Sequence, residues 1–171
     1  YIMKGLCLLA MAIVSSSFIM AQCNGRYQTE IFTSVTTTTV NYSDVFLNSS
    51  SHEMDIYTPD GDTEKNRPLI LYMHGGTFYA GSKSNTDCID FCKSMAKRGY
   101  VTASLNYRLA NIISFIASNE TQYETVLKAV SDVKSAIRYF RKDFANGDTY
   151  DIDPNTIFVG GYSAGAVIAV H

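Results

Sequence analysis

The chain lacks an excess of charge of either sign. Its 171 residues include 14 Lys and Arg against 16 Asp and Glu, which gives a formal net charge of −2 at pH 7. Binding to nucleic acid or to an anionic membrane surface depends on clustered positive charge, so we predict neither as a partner. The hydrophobic content of 46% is typical of a globular protein with a sizeable core, and the length fits one domain or part of one.

The chain also lacks an apolar run long enough to span a bilayer, which takes roughly 20 residues. Residues 6–14 form a shorter apolar run that ends in three serines. Lys4 precedes this run and the small residue Ala21 follows it, a pattern typical of a secretory signal peptide. We therefore predict a signal peptide over residues 1–21, a secreted or periplasmic protein, and a mature domain over residues 22–171.

Two alternatives to this leader stay open. The first is a membrane anchor, which the short run and its serines disfavour, and no stable membrane span is expected. The second is a lipid on Cys23, which is preceded by Gln22 where a lipoprotein signal would have a small residue.

Histidine at metal-ligand spacing from a cysteine is absent. Cys88 and Cys92 are four residues apart, which puts them on one face of a helix but too far apart for an undistorted disulfide. We predict that both are small apolar side chains on a buried helix face, and that no metal is bound. One disulfide and one free thiol among Cys23, Cys88 and Cys92 is an open alternative in a compartment that permits disulfides.

Strand and helix patterns alternate along the rest of the chain, with no internal repeat and no low-complexity linker. This alternation predicts an α/β fold with a largely parallel sheet, helices on both faces and antiparallel N-terminal strands. The predicted elements, in order, are strands over residues 31–40, 52–57 and 68–76, a helix over 86–98, a strand over 100–108, a long helix that ends before Gly147, a strand over 157–160 and a helix after Ser163.

The long helix carries the strongest periodic signal. Its apolar residues recur at intervals of four and three, as in an amphipathic helix packed on a sheet. We predict that Asp132 and Asp143 lie on its solvated face. The apolar stripe consists of Val126, Val130, Val133, Ile137, Phe140 and Phe144.

The segment 151–156, with the sequence DIDPNT, predicts a turn before the last strand. Asp148, Asp151 and Asp153 are spaced as in some calcium-binding loops. Turn formation is the favoured interpretation of these carboxylates, and calcium binding is the alternative.

A serine between glycines stands at residues 161–165, GYSAG, which fits G-x-S-x-G between a predicted strand and a predicted helix. Such a serine sits in a strained turn, where side chains two positions away on either side would collide with the turn. Gly161 and Gly165 remove these collisions. The N–H of Ala164 begins the helix and is a candidate oxyanion donor. We predict Ser163 as a catalytic nucleophile.

A second glycine-rich piece, His74-Gly75-Gly76, ends the third predicted strand. A tetrahedral intermediate needs at least two aimed donors, and glycines let backbone N–H groups approach it closely. Together with the G-x-S-x-G pattern, this piece predicts an oxyanion hole.

These residues resemble the α/β-hydrolase family, and within it the secreted carboxylesterases and lipase-like esterases with an HGG oxyanion loop. The resemblance covers roughly residues 55–171, through MDIYTP, PLILYMHGGTFYAGS, GYVTASLNYRL and DPNTIFVGGYSAGA. It implies an N-terminal portion of one α/β-hydrolase domain that uses no cofactor.

The resemblance also implies roles for individual residues. Ser163 would be the nucleophile, and the N–H groups of Gly75, Gly76 and Ala164 would form the oxyanion hole. His74 would order the loop rather than act as base. Many relatives have a third glycine where Thr77 stands in this sequence.

The family implies a carboxylate and then a histidine after the serine in chain order. None of the three histidines, His52, His74 and His171, is a credible base, because each precedes the serine or lies on the helix that leaves it. We therefore expect both partners beyond residue 171. We also expect the chain to be a piece of a longer reading frame that is inactive or nearly so alone.

The predicted function is hydrolysis of small-molecule or polymer-borne carboxylic esters through an acyl-enzyme on Ser163. Two alternatives stay open: a serine peptidase of the same fold, and a non-catalytic binding module that keeps the scaffold.

Overall fold

A computed structural model describes residues 25–45 and 49–171. The predicted signal peptide and Cys23 lie outside these residues. The described part contains one five-stranded sheet with the strand order β1-β2-β4-β3-β5. The strands are β1 (Val35–Asn41), β2 (Glu53–Pro59), β3 (Arg67–Met73), β4 (Val101–Leu105) and β5 (Ile152–Gly161).

The sheet combines parallel and antiparallel pairing. β3 pairs in parallel with β4 on one side and with β5 on the other. β1 and β2 run antiparallel, and β2 pairs antiparallel with β4. The predicted antiparallel entry into a parallel sheet is therefore confirmed. All five residues of β4 are buried, as expected for a strand covered on both faces.

Helices cover both faces of this sheet. Leu71 of β3 and Leu105 of β4 pack into a large core with Phe140, whereas Tyr57 of β2 packs on the opposite face against Cys92. The first core lies under α3 and α4, and the second lies under α1. The helices are α1 (Thr86–Lys97), α2 (Ile112–Ala117), α3 (Asn119–Ala145) and α4 (Ala164–Ala169), and a short 3-10 helix spans Ser50–His52.

The start of β1 and the presence of α2 differ from the prediction. β1 begins at Val35 rather than at residue 31, because the N–H groups of Ile31 and Phe32 donate to the carbonyl of Lys97 at the end of α1. α2 was not predicted. Its three isoleucines are exposed, and only Phe115 packs against the core, so the helix has no apolar stripe. It forms because the Asn111 side chain accepts from the first free N–H groups of the helix. No helix in the described part is long and apolar enough to cross a membrane.

The predicted turn at residues 151–156 is wrong as a boundary, because β5 begins at Ile152 and includes residues 152–156. Arg67 pairs with Ile152 and Leu69 pairs with Ile157, so the intervening residues of β5 form a bulge. The Asp153 carboxylate accepts from the N–H of Asn155 inside this bulge. The side-chain-to-backbone hydrogen bond typical of a turn is therefore present, but it lies within a strand.

The solvated position predicted for Asp132 is also wrong. Asp132 is 2% exposed in the middle of α3, where it accepts hydrogen bonds from Arg108. Phe144, predicted in the apolar stripe, is 40% exposed, and Asp143 is half-buried. The rest of the predicted stripe is confirmed, because Val130, Val133 and Phe140 are buried and Val126 and Ile137 pack against the core. Ala129 and Ala136 complete the buried face of α3.

Cys88 and Cys92 are buried and free, as predicted for a helix face. Burial raises the pKa of the Cys88 thiol to about 11 and raises that of Cys92 further. Because the thiolate is the reactive form, we expect iodoacetamide at pH 8 to leave the tryptic peptide 84–93 unmodified in the folded protein and to modify it in urea. Modification of this peptide at the same rate in both states would contradict the burial. Peptide mass spectrometry measures both rates.

Candidate active site

The G-x-S-x-G turn, residues 161–165, connects the end of β5 to α4. Ser163 has φ 52° and ψ −115°, a region that non-glycine residues rarely adopt. The backbone strain this implies, about 1–3 kcal/mol, is typical of functional turns. The side chain of Ser163 is exposed. The turn thus holds the serine hydroxyl out from the sheet at a cost in backbone energy.

The two glycines of this turn lie against the end of β3. A Cβ on Gly161 would come within 2.6 Å of the Met73 carbonyl oxygen and 2.7 Å of the Gly165 carbonyl carbon. A Cβ on Gly165 would come within 2.2 Å of the same Met73 oxygen. These distances agree with the steric reason predicted for both glycines. The Tyr162 N–H donates to the Met73 carbonyl, which holds the turn in place.

The HGG loop, residues 74–81, follows β3 directly. Gly76 has φ 120°, and a Cβ there would come within 2.1 Å of the Ala80 carbonyl oxygen. Thr77 and Phe78 follow with φ 54° and 65°. Three successive residues thus adopt left-handed backbone conformations that favour glycine. Thr77 adopts such a conformation without being glycine, so its backbone is strained.

The loop and the serine turn meet because β3 and β5 are adjacent parallel strands whose carboxyl ends share one sheet edge. A Cβ on Gly75 would lie 3.3 Å from the Ser163 Cβ and 2.9 Å from Cδ1 of Tyr162. The structure therefore brings together Gly75 and Ser163, two of the predicted site residues. Ala164 is the first residue of α4, and its N–H has no carbonyl acceptor within that helix.

His74 is buried, and its side chain contacts the backbone of the HGG loop. Its Nδ1 lies 2.6 Å from the Gly75 carbonyl oxygen, and this nitrogen carries the proton because a carbonyl can only accept. Burial lowers the pKa of His74, although the bond to Gly75 opposes that shift. The imidazole is therefore neutral at pH 7.

Tyr107 supports the loop and was not anticipated from the sequence. Its ring stacks on His74 with centroids 4.3 Å apart, and its hydroxyl donates to the His74 carbonyl at 2.8 Å. The next segment adds a backbone bond from Ala110 N–H to the Phe78 carbonyl. The residues after β4 thus support both ends of the loop. An aromatic directly after a buried strand is the only sequence signal for this role.

The other histidine and carboxylate candidates lie elsewhere. Nε2 of His52 is 3.4 Å from the Asp132 carboxylate, and His171 follows α4. Among residues 25–45 and 49–171, no histidine makes a hydrogen bond with the Ser163 hydroxyl. Asp148 accepts from the N–H of Ile152, and Asp151 pairs with Lys65. The same residues contain no group of three or more potential metal ligands.

A cavity of about 390 Å³ opens beside the HGG loop, and Gly75 and Gly76 form part of its wall. Asn85 and Asp87, at the start of α1, line its other side. Gly81 of the loop and two tyrosines, Tyr72 of β3 and Tyr162 of the serine turn, complete the described lining. Gly75 and Tyr162 line the cavity, and Gly75 also lies against Ser163, so the cavity adjoins the serine turn.

A protein-family model described as BD-FAE matches residues 54–170. The chain belongs to the BD-FAE family. The match begins at β2 and runs past Ser163, so it includes the HGG loop and the serine turn. The family is of the α/β-hydrolase type, which confirms the predicted family and fold class.

Curated relatives of this BD-FAE protein include esterases. Para-nitrobenzyl esterase of Bacillus subtilis (strain 168) is 28% identical over 116 residues, which are 67% of this chain and 22% of that protein. Arylacetamide deacetylase of Bos taurus is 33% identical over 115 residues, which are 67% of this chain and 26% of that protein. The chain thus spans about a quarter of the length of these two relatives.

Solved structures that are similar to this chain also include esterases. A bacterial heroin esterase matches the BD-FAE chain with a TM-score of 0.57 and 28% identity, over 79% of this chain and 37% of that one. A structure described as a truncated form of a carbohydrate esterase from gut microbiota matches with a TM-score of 0.54 and 27% identity, over 82% and 43% of the two chains. The chain is an esterase-type α/β-hydrolase by family.

Proposed function

We propose that this protein hydrolyses carboxylic esters through an acyl-enzyme formed on Ser163. One observation carries the proposal: an exposed serine in a strained strand-to-helix turn lies against the glycine loop that follows the adjacent parallel strand. Acyl transfer requires a nucleophile and, beside it, backbone donors that can reach the oxygen of the attacked carbonyl.

In the first half of the reaction, Oγ of Ser163 attacks the ester carbonyl carbon while its proton passes to a histidine base. The carbonyl oxygen becomes an oxyanion that accepts hydrogen bonds from the N–H groups of Gly75, Gly76 and Ala164. The intermediate collapses, the bond from carbon to the alcohol oxygen breaks, and the alcohol leaves with the proton. The result is an ester between the acyl group and Ser163.

In the second half, water attacks the acyl carbon of the acyl-enzyme and gives a proton to the same base. The second intermediate uses the same donors, and its collapse returns the proton to Oγ and releases the carboxylic acid. The neutral ring of His74 keeps its Nδ1 proton on the Gly75 carbonyl, so its proposed role is to hold the loop. The esterase relatives support small carboxylic esters as substrates.

Phosphonylation tests the proposed nucleophile. A fluorophosphonate reacts with an activated serine, forming an O–P bond as fluoride leaves. In the longer reading frame, which we expect to supply the histidine base, we therefore expect one phosphonyl group per protein on the peptide that contains Ser163. Intact-mass and peptide mass spectrometry measure the label and its position. Ser163→Ala should take up no label, while Ser131→Ala, which changes an exposed serine of α3, should take it up normally. Labelling of another residue, or none, would overturn the proposal.

A further inference from the structure

The cavity beside the HGG loop has a chemical character that the proposed reaction does not require. Its described lining combines two tyrosine rings with a carboxylate and an amide. Tyr162 is 66% exposed and presents its ring beside Gly75, and Tyr72 is held in place by stacking on Phe91 with centroids 4.2 Å apart. The aromatic rings favour the apolar body of a substrate group. The charge of the lining then decides which substituents that body can carry.

Among the described lining residues, Asp87 alone carries a charge. Lys83, the cation closest to it in sequence, is engaged elsewhere, because its Nζ lies 2.7 Å from the Asp55 carboxylate and both side chains are largely buried. Asp87 itself is exposed at the cavity rim. A group that enters the cavity therefore meets an unbalanced negative charge.

The field of Asp87 extends to the cavity floor and to the loop. The pKa of Tyr72 is raised, mainly by burial of its phenol, and Asp87 adds to this shift. The pKa of His74 is lowered by burial, and Asp87 acts in the opposite direction. Tyr72 on the floor and His74 in the loop both respond to the carboxylate, so a substrate group between them would also feel it.

We propose that Asp87 is a specificity-determining residue that makes the cavity beside the HGG loop select uncharged or cationic ester groups over anionic ones. The inference rests on the proposed function and adds a substrate class to it. A carboxylate on the substrate would meet the Asp87 carboxylate across the cavity, whereas a hydroxyl could donate to it and a quaternary ammonium would be attracted.

Asp87 also has a simpler structural role from which this proposal must be separated. It lies in the first turn of α1, where a negative charge is favourable to the helix dipole. That role would make Asp87→Asn less stable without changing the discrimination between substrates by charge. The decisive readout is therefore a ratio of specificity constants for esters that differ in charge.

The experiment uses the longer reading frame that we expect to supply the carboxylate and the histidine. It uses two series of esters, because the cavity could receive either side of the scissile bond. The acyl series is the 4-nitrophenyl esters of butyrate, succinate and 4-(trimethylammonio)butyrate, which are neutral, anionic and cationic. The alcohol series is the acetates of phenol, 4-hydroxybenzoate and 4-(trimethylammonio)phenol. Each ester is compared between the unsubstituted protein and the variants, so its intrinsic reactivity cancels. Asp90→Asn is the matched control, since it removes the same charge from the exposed side of α1 outside the cavity lining.

In Asp87→Asn, we expect kcat/KM for the anionic ester of one series to rise about three- to tenfold relative to the neutral ester, and the cationic ester to fall by a similar factor. About 0.5 M NaCl should reduce both effects by screening. Asp90→Asn should leave the ratios unchanged. Equal changes in the two variants, or no change in Asp87→Asn in either series, would overturn the proposal.

Failure of the proposed function can be distinguished from failure of the proposed role of Asp87. If Ser163→Ala kept the turnover of the unsubstituted protein, the acyl-enzyme proposal would fall whatever Asp87→Asn did. If Ser163→Ala were inactive and the charge ratios were the same in Asp87→Asn and the unsubstituted protein, only the role of Asp87 would fall.

Discussion

Ser163→Ala is expected to lower kcat for hydrolysis of 4-nitrophenyl acetate by about 10⁴-fold or more, measured in the longer reading frame that we expect to supply the histidine base. Alanine removes the atom that attacks the carbonyl, so no acyl-enzyme can form. The turn itself should survive, because the Ser163 side chain makes no cap hydrogen bond and the strained backbone depends on Gly161 and Gly165. The residual rate should exceed that of the uncatalysed reaction, since the oxyanion donors remain. Steady-state release of 4-nitrophenolate measures the loss.

Two comparisons make this result specific to the serine hydroxyl. Ser131→Ala, on the exposed side of α3, should keep full turnover. The free energy of unfolding of Ser163→Ala should stay within about 1 kcal/mol of that of the unsubstituted protein, as for other exposed positions. A Ser163→Ala protein that is folded and still hydrolyses the ester at the original rate would exclude Ser163 as nucleophile.

The sequence predicted those parts of the fold that rest on local patterns. The apolar runs at β3 and β4 predicted strands covered on both faces, and the structure confirms the parallel pairing and the helices on both faces. The glycines around Ser163 were predicted from one steric argument, and the close approach of Gly165 to the Met73 carbonyl agrees with it. In these cases the local structure is determined by residues that are neighbours in the chain.

The parts that the sequence did not predict depend on contacts distant along the chain. Asp132 has the surroundings of a surface residue in its helix, and only the approach of Arg108 from the end of β4 makes its burial favourable. The bulge in β5 depends on the register with β3, which no local pattern encodes. Tyr107 is one aromatic among many until its hydroxyl is seen on the His74 carbonyl.

The segment after β4 joins these unpredicted contacts to the site. Tyr107 supports the HGG loop on one side, and the next residue, Arg108, is fixed to α3 by Asp132. The Lys83 N–H, just past the loop, donates to the side chain of Asn106 at 2.6 Å. The residue next to Tyr107 is therefore held by an ion pair that touches neither the loop nor the serine.

Asp132→Ala is expected to lower the free energy of unfolding by about 3 kcal/mol. Asp132 accepts from the backbone N–H of Arg108 at 2.9 Å and from its guanidinium at 2.6 Å, and its Oδ1 lies 3.4 Å from Nε2 of His52. Alanine removes the carboxylate that accepts from the Arg108 N–H and guanidinium at a buried position. The Arg108 side chain is 32% exposed, so water can satisfy part of its charge, which keeps the loss below that of a fully buried pair. Urea unfolding measures the change.

The matched control for this loss is Glu124→Ala, which removes another acidic partner from the same helix. Glu124 pairs with Lys128 at 2.9 Å, but both side chains are 53% exposed, so its loss should be about 0.5 kcal/mol or less. A double-mutant cycle of Asp132→Ala with Arg108→Ala should give a coupling energy above about 1 kcal/mol, because the two side chains share direct hydrogen bonds. An Asp132→Ala loss no larger than that of Glu124→Ala would mean that burial adds nothing to this pair.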